Sequence, residues 1–200
     1  MIDNLELIKP LLNFDNEGDF YMLYVFKRKK DQPEGEKDNH QSVRTIRSYC
    51  IKSIEQLEKR YDEIKMLCEV FKARAYIHVQ KQNHKDVSLE MMLALAQRIR
   101  DGQHEQQSLF DSVVGQLKTH EKRWIVDVDT KNWMVALAIQ QHIEKCRPEG
   151  DKVESIILTK NGFHFITKRF DTTEFWRKYP KIEIQKKNPT LLYYPNSLDQ

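Results

Sequence analysis

The sequence predicts an α/β or α+β fold with a mixed or antiparallel sheet, and three observations carry that expectation. Runs of aromatic and β-branched residues alternate with helical apolar spacing along most of the chain. A 40% hydrophobic fraction over 200 residues suffices for one substantial core or two small ones. No apolar run approaches the ~18 to 20 residues a membrane helix needs.

Asp3 to Leu12 reads as a short helix with Leu5, Ile8 and Leu12 on one side. Phe20 to Phe26 reads as a strand and runs into Lys27-Arg28-Lys29-Lys30. Asp31 to Gln41, with Pro33 and Gly35, reads as an exposed loop. A second strand, about Val43 to Cys50, would close a hairpin with a long basic tip. Ser53 and Gln56 have the form of a capping box ahead of a helix marked by Ile54, Leu57, Tyr61, Ile64, Leu67, Cys68 and Phe71. Ala73 to Val79 is the next strand, with Ala73, Ala75, Ile77 and Val79 on one face. Asp86 or Ser88 is expected to cap a helix through Ile99, which Asp101-Gly102 ends, and Ser108 to Leu117 reads as a shorter helix. These helices read as an insertion between strands.

Trp124 to Asp129 is a strand, and Thr130 is expected to cap a helix from about Asn132 to Cys146 that Pro148 and Gly150 end. Val153 to Thr159 and Phe163 to Thr167 flank an Asn161-Gly162 hairpin turn. Asp171-Thr172-Thr173-Glu174 opens a short helix ended by Pro180, and Ile182 to Ile184 and Leu191 to Tyr194 read as last strands. A boundary near Gln103 to Thr119 would divide the chain into modules 1–118 and 119–200. One continuous core is the alternative.

Composition excludes little. The net charge of +3 is a mild bias and does not establish nucleic-acid binding. Cys50, Cys68 and Cys146 are odd in number, far apart and without zinc-type spacing, so a reducing, cytoplasmic setting is expected. Met1 to Asn13 contains Asp3 and Glu6 and no basic leader, unlike a secretory signal.

The chemistry centres on Arg123-Trp124-Ile125-Val126-Asp127-Val128-Asp129-Thr130. Strand alternation puts Asp127 and Asp129 on the face of Ile125, with Val126 and Val128 opposite. Two such carboxylates repel, and a divalent cation or a basic cluster relieves the repulsion. The plainer alternative makes Asp129 or Thr130 a helix cap and Asp127 a salt-bridge partner. In the later hairpin, Gly162 permits close approach of a backbone or a phosphate, Lys160 brings charge, and His164 is suited to contact a phosphate. A surface hairpin with a packed histidine is the alternative. The basic hairpin sets Lys27, Arg28, Lys29 and Lys30 against Arg44 and Arg47, with Tyr21, Tyr24, Phe26 and Tyr49 interleaved. That composition suits phosphates and bases. It equally suits a charged edge strand protected from aggregation. Lys186 and Lys187 read as a phosphate path or a solvated turn.

The Asp-x-Asp strand, followed by a Gly162-Phe163-His164 hairpin strand, resembles the catalytic core of the archaeo-eukaryotic primase superfamily, which includes stand-alone primase-polymerases. The likeness runs from Trp124 to about Pro195 and consists of short motifs. It implies an RRM-like palm joined to an N-terminal α/β module. It implies Mg²⁺ or Mn²⁺ on Asp127, Asp129 and a third acidic residue, for which Glu183 is the only acidic residue in a late strand. His164, with Lys160 and Gly162, would meet the phosphates of an incoming nucleoside triphosphate. Nucleic acid would be the template, with replication proteins as further partners and no membrane. Gly162 stands where serine is commoner, and Glu183 where aspartate is. The alternative implied function is a non-catalytic nucleic-acid-binding module of the same fold, working through the Lys27 to Lys30 hairpin.

Overall fold

The structure is a computed structural model that describes residues 1–28, 31–32, 43–103, 109–117 and 122–198. It is an α+β fold built on two antiparallel sheets. The first has the order β1 (Ile2–Asp3), β10 (Thr190–Tyr194), β4 (Arg74–Ile77), β2 (Asp19–Arg28), β3 (Val43–Ile51), and the short β5 (Gln82–Asn83) pairs with the start of β2. The second has the order β7 (Val153–Leu158), β8 (Phe163–Thr167), β6 (Trp124–Val128), β9 (Glu183–Gln185).

The first sheet is covered by helices of opposite origin. On one face α2 (Ile54–Val70) lays Leu57, Tyr61, Ile64 and Cys68 against Leu23, Val25, Ala75 and Ile77. Its start follows the expected capping logic: Ser53 Oγ accepts from Gln56 N at 3.1 Å, and the Gln56 side chain accepts from Lys52 N at 2.7 Å. On the other face α3 (His84–Arg100) and α4 (Leu109–Gln116) bury Val87, Leu109, Val113 and Val114 against Phe20 and Met22. The cap of α3 is Asn83, where Asp86 or Ser88 was expected. Pairing of β5 with β2 holds Asn83 extended, and its Oδ1 accepts from Lys85 N at 3.0 Å, so the helix begins a turn early. At the chain start, α1 (Leu5–Ile8) tightens into a 3-10 turn at Lys9–Leu11, in place of one helix to Leu12.

The second sheet follows the order β6, α5 (Trp133–Lys145), β7, β8, α6 (Thr172–Lys178), β9. Antiparallel β8 lies between β6 and β7, which gives the split β-α-β arrangement of a β-α-β-β-α-β unit. Val126, Val128, Phe163 and Phe165 pack on Ala136, Ile139, Ile143 and Phe175 of the two helices. Asn132 caps α5: its Oδ1 accepts from Met134 N at 3.0 Å and Val135 N at 3.4 Å. Thr130, the expected cap, instead shapes the turn before it by accepting from Asn132 N at 3.2 Å.

The two sheets share one core. Ile125, Ile157 and Ile166 of the second sheet join the cluster around α2, together with Leu192 of β10. The division at 118/119 therefore does not follow sheet membership, since β10 completes the first sheet. Two polar residues fasten the junction. Buried Asn4 donates to Leu158 O and Leu191 O, both at 2.9 Å, and accepts from Leu158 N at 3.3 Å. Arg123 donates to Leu11 O at 2.8 Å and Val79 O at 3.2 Å, and pairs with Glu154. Among the described residues no helix is long and apolar enough to cross a membrane.

Candidate functional site

Strand alternation sends Val126 and Val128 into the core under α5 and leaves Ile125 and Asp127 on the opposite face. Asp127 lies opposite His164 on β8 and opposite Glu183 on β9. Directly opposed residues in antiparallel strands point to the same side, with Cβ atoms ~4.5 to 5.5 Å apart. Ile157, His164, Asp127 and Glu183 therefore form one row across the second sheet. His164 Nε2 approaches Asp127 Oδ1 to 3.6 Å, and Gln185 Nε2 lies 3.4 Å from Asp127 Oδ2.

The imidazole is anchored from the other sheet. His164 Nδ1 lies 3.0 Å from the hydroxyl of Thr190, which is buried at the start of β10. A hydroxyl donating to Nδ1 leaves the ring proton on Nε2, the nitrogen that faces Asp127.

Burial pushes the Asp127 carboxyl up to about 6, the negative charges of Asp129 and Glu183 push the same way, and the Arg28 cation opposes them. Burial brings His164 down to about 4, so its approach to Asp127 at neutral pH is that of a neutral imidazole to a carboxylate, without an ion pair. Tyr76 on β4 feels the charge of both Asp127 and Arg28, which places the first sheet against this row.

The turn between β7 and β8 is shaped for the end of β6. Thr159 N donates to Gly162 O at 2.9 Å, and Gly162 N donates to Thr159 Oγ1 at 3.0 Å. A Cβ on Gly162 would stand 2.7 Å from Thr130 N and 2.9 Å from Thr130 O, and closer still to Val128 O. The close approach that this glycine permits is to a backbone, that of the strand bearing the aspartates. Lys160, in the same turn, places its Nζ 5.3 Å from the centre of the Tyr194 ring, and Arg74 lies 4.7 Å from it.

A cavity of about 380 Å³ opens at the end of β6, and Asp127, Asp129, Glu183, Thr130, Tyr179 and Lys181 are among the residues that line it. The three acidic residues singled out in the sequence thus share one opening, with His164 in the same row. The basic hairpin is divided. Alternation turns Lys27 and Arg28 to opposite faces of β2. Arg28 serves the Asp127 side and pairs with Asp31 at 3.5 Å. Arg44 lies opposite Lys27, and Arg47 reaches Glu63 of α2 at 3.5 Å. Lys29 and Lys30 lie outside the described residues. Thr190 and Gln185 were not singled out from sequence, and Arg74, a weaker basic candidate there, stacks on Tyr194 and pairs with Asp31. Thr190, after Asn188-Pro189, carries no motif of its own, and only the strand register reveals it.

The donor set suits a hard divalent cation: carboxylate oxygens in a half-buried opening, with mutual repulsion that raises Asp127. Among the described residues no three His, Cys, Asp or Glu side chains form a ready cage. Mg²⁺ sites in nucleotide enzymes commonly use one or two carboxylates and take their remaining ligands from water and substrate phosphates. The residues therefore fit such an ion.

Compared with known protein families, curated proteins and solved structures, the chain matches none.

Proposed function

We propose that this protein is a metal-dependent nucleotidyltransferase of the primase-polymerase kind, adding nucleotides from nucleoside triphosphates to a 3′-hydroxyl on a nucleic-acid template. One observation carries the reading. Asp127 lies in register between His164 and Glu183, on the face of a β-α-β-β-α-β sheet that is turned toward the first sheet, and Asp127, Asp129 and Glu183 line one cavity at the end of β6.

Asp127, Asp129 and Glu183 would hold Mg²⁺ or Mn²⁺, which supplies activation of the 3′-hydroxyl and neutralisation of phosphate charge. The protein's own part is positioning and electrostatics, as phosphoryl-type transfers require. His164, neutral and held by Thr190, would turn its Nε2 edge toward a phosphate oxygen, and with the Thr190 hydroxyl donating to Nδ1 that edge carries the ring proton and adds no charge. Arg28, whose charge reaches Asp127, would bring positive charge to the triphosphate side, and Lys160, beside the Tyr194 ring in the turn before β8, would add to it. Gly162 keeps the end of β6 and the β7–β8 turn in contact, so that Asp129 and His164 hold their relation.

The test is extension. Wild-type protein with Mn²⁺, NTPs or dNTPs and primed or unprimed template is expected to lengthen the strand, and Asp127→Asn is expected to abolish this. Wild-type protein that neither extends a strand nor binds nucleotide in a metal-dependent way ends the reading.

A further inference from the structure

A second cavity, of about 320 Å³, lies at the other end of β6, and Lys122, Trp124, Arg169, Lys186 and Lys187 are among the residues that line it. Topology gathers these residues from distant points in sequence. Lys122 precedes β6, Arg169 follows β8, and Lys186 and Lys187 follow β9. Because β8 and β9 both run antiparallel to β6, their exits lie beside its entrance.

Four cations line this opening, and no Asp or Glu does. Among the described residues Lys122, Arg169 and Lys186 have no carboxylate partner within ion-pair reach. Lys186 Nζ rests 4.9 Å from the Trp124 ring centre, and Lys187 Nζ donates to Gly115 O at 3.0 Å at the end of α4. The whole chain carries only +3, so this is a local concentration of charge, well beyond the average surface. Like charges crowded without counter-charges repel one another, and an anion in the opening relieves that repulsion.

The shape of the surface narrows the anion. The two cavities sit at the two ends of edge strand β9, Glu183 lining one and Lys186 the other. Trp124 and Asp127 are three strand residues apart and point to opposite faces of β6, so a ligand that reaches both must follow the β9 edge, a path of ~10 Å at the usual rise, or roughly three stacked nucleotides of one strand. A small free anion needs only one of these loci. A polymer of evenly spaced phosphates spans both, and an aromatic ring among cations is the usual makeup of a single-strand groove.

We propose that the Lys122, Arg169, Lys186 and Lys187 pocket beside Trp124 binds the phosphodiester backbone of a single-stranded nucleic acid, which runs along β9 toward Asp127. The strand's destination rests on the nucleotidyl-transfer reading; the binding itself does not. The test therefore uses EDTA and no nucleotide. Anisotropy of a labelled oligothymidylate is followed against salt for wild type and for Lys122→Gln/Arg169→Gln/Lys186→Gln. The triple variant is expected to bind at least ~10-fold more weakly, with a log–log salt slope shallower by about 2, since each single-strand phosphate contact contributes ~0.7. Asp127→Asn, which takes a carboxylate from the end of the path, is expected to bind in EDTA no more weakly than wild type, and Trp124 fluorescence to change on binding. A triple variant that keeps its fold by circular dichroism and binds with unchanged affinity and slope overturns the proposal. So does polyglutamate competing as well as the oligonucleotide, which would mark an acidic protein partner. Lost extension in Asp127→Asn with retained strand binding separates this site from the catalytic one.

Discussion

His164 Nε2 stands 3.6 Å from Asp127 Oδ1, on the strand directly opposite, and the two groups titrate in opposed directions. Asp127 is raised to about 6 from its ordinary 3.8, so its ionisation costs folding free energy; the cost grows as pH rises from 3.8 and is complete above about 6. His164 is lowered to about 4 from 6.5, so its contribution is complete above 6.5 and is lost as pH falls toward 4. Over that shared window the two slopes nearly cancel in the wild type. Asp127→Asn is expected to uncover the histidine slope, with stability falling between pH 6.5 and 4. At pH 7 the same variant is expected to be more stable than wild type by about 1 to 3 kcal/mol. Urea unfolding across pH measures both, and an Asp127→Asn variant with wild-type pH dependence refutes the pairing.

Arg28 lowers the Asp127 carboxyl from across the sheet junction. Arg28→Gln is expected to move the acid limb of the activity profile to higher pH, because Asp127 then holds its proton longer. It is also expected to raise KM for the nucleoside triphosphate about 10-fold, a loss of ~1.4 kcal/mol, with a smaller change in kcat. A variant with an unmoved acid limb would place Arg28 outside the site's electrostatics.

Gly162 has no room for a side chain, since the atoms a Cβ would strike belong to the backbone of 128–130. Gly162→Ala is expected to destabilise the fold by about 3 kcal/mol and to displace the end of β6. Thermal unfolding reads the first effect. The second appears as lost metal-dependent nucleotide binding in whatever protein remains folded. Serine, common at this place in the resembled family, is expected to be no better tolerated here.

Asn4 is wholly buried and satisfies three backbone groups on two strands of different sheets. Asn4→Leu removes all three bonds and leaves those groups without partners. A loss of about 2 to 4 kcal/mol is expected, read as a shift in the urea midpoint. A loss below that of an exposed control such as Lys59→Ala would show that the junction does not depend on this residue.

Much of the fold was legible because its signals are local. The alternation of Ala73, Ala75, Ile77 and Val79 and the stripe Leu57, Tyr61, Ile64, Cys68 each declare a face, and all eight are buried as that pattern requires. Caps were read less well. Asn83 displaces Asp86 and Ser88 through a two-residue strand pairing that no periodicity signals. The acidic residues and His164 were legible as motifs, but their common row depends on register, which sequence does not state. Thr190 and the Arg28 side of the site arise from contact between sheets and left no mark in the spacing. The basic hairpin was read as one surface. Alternation along β2 divides it, and sequence inspection of a run of like charges overlooks that division.

The placement of β10 between β1 and β4 has a consequence for synthesis. Until residues 190–194 have left the ribosome, β4 keeps an open edge and β1 has no neighbour to pair with. His164 likewise lacks Thr190 until then. The edge of β4 therefore stays unpaired while the whole stretch between Ile77 and Thr190 is made. The strand that closes the sheet also completes the histidine's setting, so the site and the fold mature in the same step.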